Sequence, residues 1–117
     1  MPSSNGKRTV LIVDDEEDVR HILRLLFEVE DYEVVGEASD GADAITVALT
    51  KEPDFVILDY RMPRMDGEEA ARLLRDMLPD VRIIAFSAVL QDKPSWADAY
   101  LNKDRISEVA PLLHSLI

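Results

Sequence analysis

The chain contains no cysteine, so no disulfide can brace it, and a thiol-free sequence fits a reducing cytoplasm. No apolar run approaches the ~20 residues that a membrane-spanning helix needs. The first residues, Met1 to Arg8, lack the apolar centre of a secretory signal. Cations are scarce: 13 Lys and Arg stand against 24 Asp and Glu, a net charge of −11 over 117 residues. That balance argues against direct contact with nucleic acid or with an anionic membrane, both of which need a basic footprint. Internal repeats, low-complexity blocks and interdomain linkers are also missing. The expectation is a cytoplasmic protein with one domain over residues 7–117, behind a frayed tail at 1–6.

What the chain does have is a series of apolar runs, each ending at a chemically able side chain. Thr9 to Val13 stops at Asp14-Asp15, Phe55 to Leu58 at Asp59, Val81 to Phe86 at Ser87, and Tyr100 to Asn102 at Lys103. A further strand is expected over Glu33 to Ala38, followed by a Ser39-Asp40-Gly41 turn. Between the runs, apolar residues recur at helical spacing. They are Val19, Ile22, Leu23, Leu26 and Phe27; then Ile45, Ala48 and Leu49; then Ala70, Leu73, Leu74 and Met77; and finally Ile106, Val109, Ala110 and Leu113. Alternating strands and helices predict βαβ units on a parallel sheet. The carboxyl ends of such strands share one edge, where ligands bind. Three carboxylates, a hydroxyl and an amine are therefore expected to meet in one cleft.

Clustered acids repel, and their pKa values rise unless a cation neutralises them. Magnesium suits this set, since it takes oxygen ligands and commonly uses one or two carboxylates beside a phosphate. Asp59 could then serve both as ligand and as nucleophile, because aspartate can form an aspartyl phosphate. Phosphoryl transfer needs its charged oxygens neutralised and positioned, for which Lys103 offers a point charge and Ser87 a hydroxyl. Plainer readings stand beside these. Asp14 or Asp15 can be a helix N-cap, Lys103 a solvated surface residue, and Tyr100 a half-buried strand aromatic. His21 and His114 lie off the apolar faces without metal-ligand spacing. Trp96 is either a plug over the sheet edge or part of a patch for a partner.

Four stretches in register carry a resemblance: Val13-Asp14-Asp15-Glu16, Leu58-Asp59-Tyr60-Arg61-Met62-Pro63-Arg64-Met65-Asp66-Gly67, Phe86-Ser87-Ala88 and Tyr100-Leu101-Asn102-Lys103. Together they resemble the receiver domain of two-component response regulators, over about residues 7 to 117. The resemblance implies an α/β, flavodoxin-like doubly wound sheet of five parallel strands in the order 2-1-3-4-5. It implies a phosphoacceptor in a histidine–aspartate phosphorelay, in which Asp59 takes a phosphoryl group from a histidine kinase or phosphotransfer protein. Asp15 and Asp59 would bind Mg2+ directly, Asp14 through water, and the backbone carbonyl of Arg61 would be a further ligand. Ser87 and Lys103 would contact the phosphoryl oxygens, and Tyr100 matches the aromatic whose rotamer reports activation. Such a chain is not an enzyme with a separate substrate; it assists its own phosphorylation and dephosphorylation and signals through contacts with an output protein. Met62-Pro63 and Asp66-Gly67 would shape the loop and start the next helix.

Two features depart from that pattern. Only about 11 residues between Ser87 and the last strand remain for a crossover, near the ~10–12 minimum for one that includes a helix. With Pro94 inside it, the fourth helix of the family is expected to be reduced or absent, at most a turn or two around Pro94 to Asp98. The segment from Ala88 to Asp98 is then expected to be loose, with Val89, Leu90 and Trp96 exposed and repositioned on activation. Second, Asp104 follows Lys103, and Pro111 lies in the last helical pattern, so that helix should start late or kink. Three rivals remain. A hydrolase of the haloacid dehalogenase type wants an acid two positions after its nucleophile, where this chain has Arg61. A flavodoxin-like nucleotide binder needs a Ser/Thr- or Gly-rich loop where Asp14-Asp15-Glu16-Glu17 stands. A degenerate receiver would bind partners without phosphorylation.

Overall fold

Five parallel strands are hydrogen bonded in the order β2-β1-β3-β4-β5 in a computed structural model that describes residues 6–117. They are β1 (Thr9–Val13), β2 (Glu33–Ala38), β3 (Phe55–Leu58), β4 (Arg82–Ser87) and β5 (Ala99–Asn102). Four helices, α1 (Glu17–Val29), α2 (Gly41–Lys51), α3 (Gly67–Met77) and α4 (Val109–Ser115), cover both faces. This is the expected flavodoxin-like, doubly wound sheet. Of the tail expected at 1–6, residues 1–5 lie outside the described residues, and Gly6 is exposed. Among the described residues no helix is long and apolar enough to cross a membrane.

Side chains alternate between the two faces of each strand. Val10, Ile12, Ile57 and Ile84 turn toward α1 and α4, where Leu23, Phe27, Val109 and Leu113 meet them. Leu11, Val13, Val56, Leu58 and Ile83 turn toward α2 and α3. With both faces covered, β1 and β3 are buried along their whole length. Burying a side chain such as Phe27 contributes roughly 1.5–3 kcal/mol.

Three residues that the helical spacing assigned to inner faces are outside: Ile22 is 45% exposed, Leu49 57% and Leu73 40%. Where α2 and α3 meet the sheet, the buried residues are mostly small, Ala44, Ala48, Ala70 and Ala71, with Leu74 the large one among them. Alanines let a helix approach the sheet closely, and the neighbouring leucines are left beside the contact.

Helix starts follow the capping chemistry. Asp40 accepts a hydrogen bond from the Asp43 N–H at the start of α2, and Asp66 accepts one from the Glu69 N–H at the start of α3, each at 2.9 Å. Neither Asp14 nor Asp15 caps α1; Glu16 holds that position without a side-chain cap bond. Gly67 does start α3 as expected, for a steric reason. A Cβ there would lie 2.5 Å from the Asp59 carbonyl oxygen and 2.9 Å from Tyr60 Cα. The last helix starts late: a 3-10 stretch over Lys103–Glu108, with non-helical φ/ψ at Arg105, precedes α4. Pro111 then falls in the first turn of α4, where backbone N–H groups have no intrahelical acceptor to lose.

No helix joins β4 to β5. The crossover holds a single turn, with the Ala97 N–H donating to the Pro94 carbonyl at 3.2 Å. It is nevertheless tied down by side chains. Arg75 on α3 donates to Asp98 Oδ2 (3.0 Å) and to the Trp96 carbonyl (3.3 Å), and Asp98 Oδ2 also accepts the Ile83 N–H at 2.8 Å. Lys93 donates to the Ala97 carbonyl at 3.0 Å. The expectation that Val89, Leu90 and Trp96 are all exposed is corrected. Val89 is exposed, but Leu90 and Trp96 are half-buried against the α2–α3 side of the core. Trp96 also stacks on Tyr60, with ring centroids 6.2 Å apart and planes 15° apart, which favours the plug over the open patch.

Candidate functional site

The sheet ladder runs one residue beyond β1 and β3. The Asp14 N–H donates to the Ala38 carbonyl at 3.1 Å, and the Asp59 N–H to the Val13 carbonyl at 3.0 Å. Since Val13 pairs with Leu58, these bonds set Asp14 and Asp59 side by side at the carboxyl edge. Both are buried, whereas Asp15 is exposed. Carboxylate oxygens of Asp14, Asp15 and Asp59 lie within 4.8 Å of one another.

Lys103, the first residue beyond β5, extends its amine into this group. Its Nζ is 2.8 Å from Asp14 Oδ2, 3.3 Å from Asp59 Oδ2 and 3.3 Å from Glu16 Oε1. Burial, and then the charge of Asp14, push the Asp59 carboxyl up to about 6, against the pull of Lys103. Burial also raises the Asp14 carboxyl, opposed by its contact with Lys103. For Lys103, burial works to lower the pKa, but the contacts with Asp14, Asp59 and Glu16 win and raise it. The amine is therefore a permanent cation.

Ser87, the last residue of β4, is buried, and its Oγ accepts the N–H groups of Val89 (3.1 Å) and Leu90 (3.4 Å). With both acceptor positions used, the hydroxyl proton remains available for donation. Tyr100 is half-buried on β5; its hydroxyl donates to the Leu90 carbonyl and accepts from Asn102 Nδ2 at 3.3 Å. The side chain of Arg61 is exposed in the loop after β3. His21 and His114 are both exposed, away from the cluster.

Asp14, Asp59 and Glu16 share one ammonium here, and Asp15 adds a further carboxylate to the cluster. Among the described residues, Asp14 Oδ2 is the buried side-chain polar atom with no hydrogen-bond partner, its contact with Lys103 being ionic. Surplus negative charge and spare hard oxygen donors fit a divalent cation such as magnesium.

Two contributors escaped the sequence reading. Glu16 is one. The other is Arg20, whose Nη1 donates to the Asp14 carbonyl at 2.7 Å while its Nε donates to Glu37 on β2 at 3.3 Å. An arginine in the first turns of a helix is disfavoured by the helix dipole unless it has an anionic or carbonyl partner. That is the signal that could have found it.

Comparison with known proteins agrees with this geometry. Residues 10–104 match the family described as the response regulator receiver domain. The transcriptional regulatory protein PdtaR of Mycobacterium tuberculosis is 40% identical over 112 residues, covering 91% of this chain and 55% of that protein. The response regulator protein VraR of Staphylococcus epidermidis is 40% identical over 101 residues, covering 80% of this chain and 48% of that protein. The chain thus spans about half the length of these curated relatives. Among solved structures, the CheX–CheY–BeF3–Mg2+ complex from Borrelia burgdorferi aligns with a TM-score of 0.85 at 26% identity, covering 96% of this chain and 91% of that one. The chain belongs to the response regulator receiver domain family.

Proposed function

We propose that this chain is a phosphoacceptor of a histidine–aspartate phosphorelay, and that Asp59 is the accepting side chain. The observation that carries the reading is the Lys103 amine, 2.8 Å from Asp14 Oδ2 and 3.3 Å from Asp59 Oδ2. It supplies a fixed positive charge beside a buried carboxylate at the end of a central strand. An ionised oxygen of Asp59 attacks the phosphorus of a phosphohistidine on a histidine kinase or phosphotransfer protein. The P–N bond breaks, and its electron pair leaves with the imidazole. With its carboxyl at about 6, Asp59 is mostly ionised at neutral pH and ready to attack.

Lys103 offsets the charge that the phosphoryl oxygens bring, and Ser87 donates its hydroxyl proton to one of them. Asp15 and Asp59 directly, Asp14 through water and the backbone carbonyl of Arg61 would hold magnesium, which supplies further neutralisation of those oxygens. Tyr100 takes the switch role. Its hydroxyl and Ser87 Oγ bond to the two ends of the same residue, Leu90, so a shift of Ser87 is felt at the ring. Output then passes through protein contacts that differ between the two states.

The test is incubation with a small phosphodonor and magnesium, followed by intact-mass measurement. One phosphoryl adduct is expected on wild type and none on Asp59→Asn. Turnover of phosphate esters would point instead to a hydrolase of the haloacid dehalogenase type. No adduct at all would point to a binding module that works without phosphorylation.

A further inference from the structure

Lys103 has an anionic neighbour that the strand-end chemistry does not require. Glu16 Oε1 is as near to the ammonium as Asp59 Oδ2, both at 3.3 Å. Their surroundings differ. The side chains of Asp14 and Asp59 are 1% and 7% exposed, that of Glu16 is 63% exposed. Asp14 cannot let go of the amine without leaving a buried charge unpaired. Glu16 can, because water takes over its contact. Glu16 is also anchored at the rim of the site, since it precedes the first residue of α1 and its N–H donates to Asp14 Oδ1 at 2.9 Å. An ammonium has three donors, and three carboxylates engage this one. A phosphoryl group arriving on Asp59 takes over that residue's own contact and brings further oxygens, and of the other two carboxylates Glu16 yields its place on the amine at less cost.

Building on the reading of Asp59 as phosphoacceptor, we infer that Glu16 is a specificity-determining residue. It fills the place on Lys103 that the phosphoryl group takes, and its charge at the rim selects against small phosphodonors of higher negative charge. In transfer from either small donor below, an Asp59 oxygen bonds to phosphorus as the bond to the leaving group breaks. Acetyl phosphate releases acetate with the P–O electron pair. Phosphoramidate, whose nitrogen already carries its third proton, releases neutral ammonia with the P–N pair. At neutral pH acetyl phosphate bears about one more negative charge than phosphoramidate, so Glu16 repels it more. One unit of charge at roughly 7 Å in water changes a rate by about threefold.

The experiment measures the rate of adduct formation by intact mass, with each donor in magnesium buffer, for wild type, Glu16→Gln and Glu16→Asp. At low salt, Glu16→Gln is expected to raise the acetyl phosphate rate relative to the phosphoramidate rate by about threefold. Glu16→Asp should keep the wild-type ratio. The difference should fade at ~1 M salt, where the screening length is about 3 Å. An unchanged ratio in Glu16→Gln would overturn the inference and leave the Asp59 reading intact. So would a change that also occurs in Glu16→Asp or that survives high salt. A wild-type protein that takes no phosphoryl group from either donor would overturn both.

Discussion

Lys103 Nζ lies closer to Asp14 Oδ2, at 2.8 Å, than to Asp59 Oδ2, at 3.3 Å. The amine is thus held most closely by Asp14 Oδ2, a buried oxygen with no hydrogen-bond partner. Lys103→Met would strand both buried carboxylates, and breaking a buried pair from one side costs about 3–5 kcal/mol. A stability loss of roughly that size is expected near pH ~7 without magnesium. Because burial raises the pKa of both acids, protonation should relieve part of the loss near pH ~5. Urea unfolding at the two pH values measures this, and an equal deficit at both would contradict it.

Asp59 ionises at about 6 in place of 3.8. In that interval the native protein keeps a proton that the unfolded chain has released, so stability falls as pH rises through it and stays low above. The shift corresponds to an upper bound of roughly 3 kcal/mol. Asp59→Asn, which never ionises, should be more stable than wild type by up to that amount near pH ~7 without magnesium. The advantage should disappear near pH ~4. Thermal melts across the range test it; a gap that does not change with pH would refute the argument.

Removing Asp15 should separate folding from metal binding. It is exposed and shares the cluster with Asp14 and Asp59, so its loss lessens repulsion while taking away a ligand. Asp15→Ala is expected to be at least as stable as wild type without magnesium, and to bind magnesium poorly by calorimetry. Wild-type affinity in the variant would exclude Asp15 as a ligand.

Gly67 and Gly36 make a matched pair for the loop after β3. A Cβ on Gly67 would meet the Asp59 carbonyl oxygen at 2.5 Å, whereas one on Gly36 would meet the Val47 side chain at 2.7 Å. Backbone cannot turn aside and a valine methyl can. Gly67→Ala should cost about 1–3 kcal/mol and slow adduct formation on Asp59. Gly36→Ala should cost less and leave the adduct rate unchanged. Urea unfolding and intact-mass kinetics distinguish them, and equal adduct rates would show that the Asp59 peptide did not move.

The parts of this protein that were legible from sequence are those set by short-range periodicity. Apolar runs ending at Asp14, Asp59, Ser87 and Lys103 place those residues on one edge, because parallel strands all end on the same side. Asp66 before Gly67 likewise announces the start of α3. What escaped depends on long side chains reaching between elements. Arg75 grips Asp98 across 23 positions, and Arg64 pairs with Asp40 across 24. No local pattern marks either contact. The leucines at 49 and 73 misled for a related reason: spacing shows which arc of a helix is apolar, but not which part of that arc touches the sheet.

Trp96 is the only tryptophan in the chain, and its stack on Tyr60 sets it against the residue covalently joined to Asp59. Ultraviolet emission excited at the red edge therefore comes from a single ring whose immediate neighbour is next in the chain to that carboxylate. Indole emission shifts in colour and intensity when an adjacent aromatic ring or its hydration moves. The protein consequently carries an optical probe of its own, stacked on the residue that follows Asp59, so that any movement of the Tyr60 ring can be followed in real time without a dye, a label or a second protein.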